Sequence, residues 1–347
     1  MMSVTFILIL TLFTSQAVAD CAIQKVDKCH NKEKALPLKI IAIFAIFVAS
    51  ILGVCLPLAT HSIPALGPES NFFIIVKSFT AGIILGTGFL HVLPEAYDQL
   101  WSECLPEKPW HEYPFPGLVA MFSAIITMMV DSLATSFCFK KHRRPEDIPH
   151  QDHHEGGDQE MGSVVNFGHP RHRPHQEINA SNKESQLMHF RVVASVLELG
   201  IVVHAVVVGL SMGASDNTCT IKSLVAAMCF HQLFEGMGLG GCILRAEYSM
   251  MKVAIYVSFF SVITPLGIAV GMAITTIYNE NSRGALITVG LLNSASAGIL
   301  VYMSLVVLLA TDFMSPRLQG CIRLQLKSYV AVYLGAGAMS LVAKWAA

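Results

Sequence analysis

Charge is what this 347-residue chain has least of. Only 14% of its residues are Asp, Glu, Lys or Arg, against roughly a quarter in an average soluble domain, while 53% are hydrophobic. The net charge of −1 points to no nucleic-acid partner. Alternation of apolar and polar residues is also missing from the long apolar runs, which argues against the strands of a membrane barrel. No run carries paired cysteines, so a structural zinc site closed by thiolates is not indicated. No His-Glu-x-x-His occurs anywhere, which removes the usual signature of a zinc hydrolase and leaves an intramembrane metalloprotease with little support.

What remains is a chain built for lipid. Residues 1–19 hold an apolar core ending in Ala17-Val18-Ala19, the small-x-small pattern of a signal-peptidase site, with a mature chain starting near Asp20. No Lys or Arg precedes that core, so an uncleaved extra span is the alternative. Cys21 and Cys29 follow in the extracytoplasmic segment 20–37, where an oxidising lumen can pair them, whereas Cys55, Cys138, Cys229 and Cys242 lie in apolar runs and read as core.

Eight later runs are long enough to cross hydrocarbon as helices: Leu38–Thr60, Phe72–Glu95, Pro116–Phe139, Val192–Ala214, Ile221–Leu244, Val253–Tyr278, Ala285–Ala310 and Ser328–Ala347. The expectation is an all-α polytopic membrane protein, with spans one to three in 38–139 and four to eight in 190–347. Basic residues collect in the odd-numbered connections, including Lys140, Lys141, Arg143, Arg144, Arg245, Lys252, Arg317 and Arg323, while the even-numbered ones carry only Lys108, Lys222 and Arg283. The odd connections are therefore predicted to be cytoplasmic and both chain ends extracytoplasmic.

The connection 140–189 holds eight of the fourteen histidines, among them His150, His153, His154, His169, His172 and His175. It has almost no large apolar side chains, which predicts disorder. Tracts of this kind can hold zinc-like ions loosely. A regulatory metal sensor is one reading and an incidental solvated linker the other. The sequon Asn179-Ala180-Ser181 falls on the predicted cytoplasmic side and is discounted as a glycosylation site.

An ionisable side chain inside a span costs a few kcal/mol and calls for a partner or a function. His231 and Glu235, in HQLFEGMGLGG, are four residues apart and share one helix face with Gln232 beside them. His91 and Glu95 repeat that spacing in HVLPE. His204 stands in GIVVHAVVVGLSMGAS with Ser211 two turns along, Glu198 lies on another face, and Asp131 sits in MMVDSLATS. Imidazole and carboxylate are the ligand set of zinc and other first-row divalent ions. If the fourth and fifth helices face each other, His204, His231 and Glu235 supply two nitrogens and an oxygen, with Gln232, Ser211 or water completing the shell. Asp131 is read either as an ion-pair partner of Lys77 or as part of an entry path. Gly209 with Gly213 and Gly236 with Gly240 form small-x-x-x-small pairs, which let helix backbones approach closely.

The stretches VLELGIVVHAVVVGLSMGAS at Val196–Ser215, HQLFEGMGLGGCI at His231–Ile243 and GTGFLHVLPEA at Gly86–Ala96 resemble the ZIP (zinc- and iron-regulated transporter-like) family of divalent-metal permeases, in particular its plant members. The resemblance implies a transport site of His204, His231, Gln232 and Glu235, with His91, Glu95 and Asp131 on the way in or influencing ion choice. It also implies inverted three-helix repeats around spans four and five, alternating access, and transport into the cytosol from the plasma membrane. Zn2+ is the expected cargo, with Fe2+ as runner-up and Mn2+ and Cd2+ able to use the same shell; no resident cofactor is expected. A membrane metal sensor without net flux is the competing class, and a homodimer is left open. Ala205 and Val208 stand where some family branches carry polar and acidic residues, which predicts a mononuclear site.

Overall fold

The computed structural model describes residues 31–60, 63, 67, 70–142, 175–274 and 282–346. The proposed signal segment, Cys21 and Cys29 lie outside them, as do His150, His153, His154, His169 and His172. Every described residue in regular structure is helical apart from an isolated bridge position at Asn217.

Among the described residues, eight long helices follow one another: α1 (Lys32–Thr60), α2 (Asn71–Leu100), α3 (Phe115–His142), α4 (His175–Ala214), α5 (Thr218–Arg245), α6 (Met250–Ile274), α7 (Arg283–Phe313) and α8 (Ile322–Ala346). Seven of them contain stretches long and apolar enough to cross a membrane. The exception is α5, a 28-residue helix whose apolar character is diluted by Lys222, His231, Gln232, Glu235 and Arg245. Lys222 is exposed near its start and Arg245 half-buried at its end, while His231, Gln232 and Glu235 at its centre are covered by neighbouring helices. Among the described residues, no large hydrophobic side chain of α4 or α5 is exposed, whereas α1, α3 and α8 present rows such as Phe44, Leu52, Phe122, Ile126, Tyr333 and Leu334. Apolar side chains turned outward over the length of a helix are what a bilayer requires.

The helices outrun the apolar runs from which they are predicted. α4 begins at His175, so 175–189 is helical although the sequence predicts disorder throughout 140–189. A helix satisfies its own backbone and continues beyond the hydrocarbon wherever its polar residues still favour it.

Two bundles emerge from the packing. α1, α4, α5 and α6 form the first, with α1 packed most extensively on α5 and α4 on α6; α2, α3, α7 and α8 form the second, with α2 on α8 and α7 on α3. Backbone contacts at glycine hold each pair. A Cβ on Gly236 would lie 2.8 Å from the Val54 amide nitrogen, and one on Gly209 would lie 2.9 Å from the Thr264 carbonyl oxygen, so both predicted small-residue pairs are used as seams inside the first bundle. Gly82 against Val332 and Gly298 against Ala120 do the same in the second. The α1–α5 pair thus has its counterpart in α6–α4, and α2–α8 in α7–α3, the exchange expected of inverted repeats. Ser70 and Ser282 open α2 and α7 alike, each hydroxyl accepting from the amide three residues on. Both helices also contain a π-helical stretch, Gly88–Val92 in α2 and Met303–Ala310 in α7.

Between the bundles the contacts are looser. Two mainly apolar grooves open along this boundary, one of about 440 Å³ touching Pro57, Val76, Phe234 and Leu334, the other of about 360 Å³ touching Ile126, Val196, Gly200 and Ile299.

The cysteines divide by position. Cys104, just after α2, and Cys219, at the start of α5, are each disulfide-bonded. Cys55, Cys229 and Cys242 within the helices are free, as their apolar surroundings predict. Asp216, between α4 and α5, pairs with Lys39 of α1 at 3.5 Å and Lys32 at 3.7 Å, tying the start of α1 to the same end of the fold.

Candidate metal site

α5 carries His231 and Glu235 one turn apart on the face turned to α4, and α4 presents His204 to the same point. One ligand atom from each of the three lies within 4.8 Å of the other two. All three side chains are fully buried, and Gln232 beside them is equally buried. His231 lies about 20 Å along α5 from Thr218, near the middle of the helix.

The local sequence explains the arrangement. Gly236 and Gly240 turn one side of α5 against α1, and Gly209 and Gly213 turn one side of α4 against α6, leaving the adjacent faces to meet. The rings of His204 and His231 approach to 5.5 Å between centroids at 48°. Both ring nitrogens of each histidine, both carboxylate oxygens of Glu235 and both amide atoms of Gln232 are buried without a hydrogen-bond partner. A buried polar atom left unpaired costs about 1–3 kcal/mol, more when charged. Two imidazoles and a carboxylate that converge on one point without bonding to each other are donors arranged for a cation.

The other predicted site residues fall into two groups. His91 comes close: its ring, in the π-helical turn of α2, is 6.2 Å from that of His231, and its Nε2 is buried without a partner. Glu95, one turn on, keeps one buried oxygen unpartnered while the other accepts from Gln99 at 3.4 Å, and Gln99 in turn accepts from Asn293 of α7 at 3.2 Å. Asp131 is engaged elsewhere, accepting from the Tyr302 hydroxyl at 2.8 Å within the second bundle. Lys77 is 3.0 Å from Asp312, so the alternative pairing of Asp131 with Lys77 gives way to two separate partnerships. Ser211 is half-buried, two turns beyond His204. Glu198 is buried with one oxygen unpartnered. Gln99 and Asn293, which reach Glu95, and Tyr302, which engages Asp131 away from the cluster, are residues that the sequence pattern does not single out; their polarity inside apolar runs is the available signal.

The comparisons with known proteins agree with this architecture. Residues 36–343 match the family described as ZIP Zinc transporter. The chain is 54% identical over 340 residues to probable zinc transporter 10 of Arabidopsis thaliana, covering 96% of this chain and 93% of that protein. It is 52% identical over 333 residues to Fe(2+) transport protein 1 of the same plant, covering 96% and 92%. Against Fe(2+) transport protein 1 of Oryza sativa subsp. japonica it is 53% identical over 346 residues, covering 95% and 88%. With long helices, apolar outer faces, a buried His–His–Glu cluster and a match over nearly its full length, the chain belongs to the ZIP zinc transporter family of multi-pass membrane proteins.

Proposed function

We propose that this protein moves zinc across the plasma membrane into the cytosol through a mononuclear site made by His204, His231 and Glu235, with Gln232 as a further ligand. The carrying observation is the convergence of two imidazoles and one carboxylate at zero exposure in the middle of the helical bundle. With neutral imidazoles the set bears one negative charge, which suits a divalent ion in passage better than a permanently held one. Ala205 and Val208 are buried and apolar, so they offer nothing to a second adjacent ion.

α5 acts as the eighth span in this reading. The second bundle supplies the approach, with His91 next to His231 and Glu95 a turn further along α2. Movement of the first bundle, which carries the ligands, against the second would expose the site to each side alternately. Glycine-on-backbone seams inside each bundle and apolar grooves between them favour such a motion. Positive charge at one end and disulfide-bonded cysteines at the other support placing the Arg245 end in the cytosol.

A second reading, ferrous iron as the principal cargo, is favoured by relatives named Fe(2+) transport proteins at 52% and 53% identity. Imidazole and carboxylate accept either ion, so the ligand set alone does not separate them. The test is radiolabelled zinc uptake into zinc-starved cells, against surface-expressed Glu235→Ala, with unlabelled Fe(II), Mn(II), Cd(II) and Co(II) competing. Saturable uptake lost in the variant supports the site, and the competition order ranks the ions. Absence of zinc and iron uptake with the protein at the surface would favour a sensor.

A further inference from the structure

The inverted pairing of helices breaks at one place. Counting from the capping serines, Asp312 is residue 30 after Ser282 in α7, and Leu100 is residue 30 after Ser70 in α2. At the Cys104 end Leu100 is fully buried and packs on Gly290, an apolar contact inside the second bundle. At the opposite end Asp312 meets Lys77 of α2 at 3.0 Å, both side chains being 9% exposed. There a third group joins from the first bundle. Arg245, the last residue of α5, donates from Nη1 to Asp312 at 3.1 Å. Its guanidinium also lies 5.8 Å from the ring of Phe73 on α2 and 5.6 Å from that of Phe190 on α4.

We infer that the Arg245–Asp312 pair is a latch that holds the two bundles together at the cytoplasmic end and has to part before the metal site opens inward. The inference rests on the orientation and two-bundle motion proposed above. Three features support it. The pair crosses the bundle boundary, whereas Lys77–Asp312 stays within the second bundle, so relative motion breaks the first and spares the second. Arg245 shares a rigid helix with His231 and Glu235, so displacement of the ligands displaces the guanidinium. Two cations and one anion leave the closed end with a net positive charge, which opposes leakage of a divalent ion while the latch is shut.

The structure supplies its own reporter. Cys242 lies one turn before Arg245 on α5, is free, and is 3% exposed. The full-length protein is prepared with Cys55, Cys138, Cys229 and Cys321 replaced by alanine and the disulfide-bonded cysteines retained. Inside-out vesicles are treated with a membrane-impermeant maleimide. Arg245→Met removes the crossing ion pair together with the guanidinium's contacts to the Phe73 and Phe190 rings, and leaves Lys77 paired with Asp312; we expect Cys242 to label at least about tenfold faster than in the parent, as a shifted opening equilibrium requires. Arg245→Lys restores the charge and should return labelling most of the way to the parent rate. Equal rates in Arg245→Met and parent would overturn the latch. So would a rise shared by Cys229, retained instead of Cys242 in a matched background, because that would report general loosening. Labelling does not depend on flux, so the latch and the transport reading fail separately.

Discussion

The imidazole rings of His204 and His231, on separate helices and 27 residues apart in sequence, stand 5.5 Å apart at the centre of the bundle, and Glu235 completes the cluster. Alanine at any one of the three removes a donor that its neighbours cannot replace. Each variant at normal surface abundance should lose more than about a hundredfold in transport efficiency, exceeding the 10–100-fold typical of residues that only orient metal ligands. Initial rates of radiolabelled uptake over a range of zinc concentrations check this. Near-normal rates for Glu235→Ala would remove the site.

His91 makes a different prediction, because it reaches the cluster from the other bundle. His91→Ala should raise the half-saturating zinc concentration, by about tenfold if one contact of about 1.4 kcal/mol is lost on entry. Its maximal rate should fall much less than that of His231→Ala. Equal loss in both parameters would make His91 a full member of the central site.

Protons compete with the metal for imidazole nitrogens and the carboxylate, so binding weakens as pH falls. Zinc uptake is expected to decline as the outside pH is lowered from about 7 to about 5. A flat or rising profile would contradict simple competition and direct attention to proton coupling.

The glycine seams predict a failure of assembly rather than of chemistry. Gly236→Leu drives a side chain into the α1 backbone at Val54, where even a Cβ would be 2.8 Å from nitrogen. Little of the variant should reach the surface, as measured by surface biotinylation. Gly337, where an added Cβ would meet nothing within 4 Å, is the control and should accept alanine without loss.

Tyr302→Phe leaves the Asp131 carboxylate buried without its hydroxyl donor, a loss of about 1.5–3 kcal/mol for a bond to a charged group. Thermal stability of the purified protein should fall while zinc competition order stays unchanged. A changed order would return Asp131 to the ion path.

Much of this is legible in the chain itself. Apolar length announces the helices, and the four-residue spacing of His231 and Glu235 puts both on one face before any contact is known. The glycine pairs can be read as seams for the same reason: periodicity along one helix is a local property. The extension of α4 back to His175 is not legible, because hydropathy reports where a helix is buried in lipid and says little about where it stops. α5 is the marginal case: Ile221–Leu244 is read as a span from its length, but its mean hydropathy falls short of that of the other seven, since the polar residues at its centre are tolerated only under the cover of neighbouring helices.

The order of residues alone thus establishes a helical membrane chain with imidazole or carboxylate groups on four of its spans. Packing settles which donors meet, that Asp131 joins Tyr302 while Lys77 joins Asp312, and that the described helices divide into two bundles with Arg245 bridging them. The physical reason is separation along the chain. A buried charge must find a partner, but its own helix says only that one is needed; which of several distant residues supplies it depends on how the helices pack.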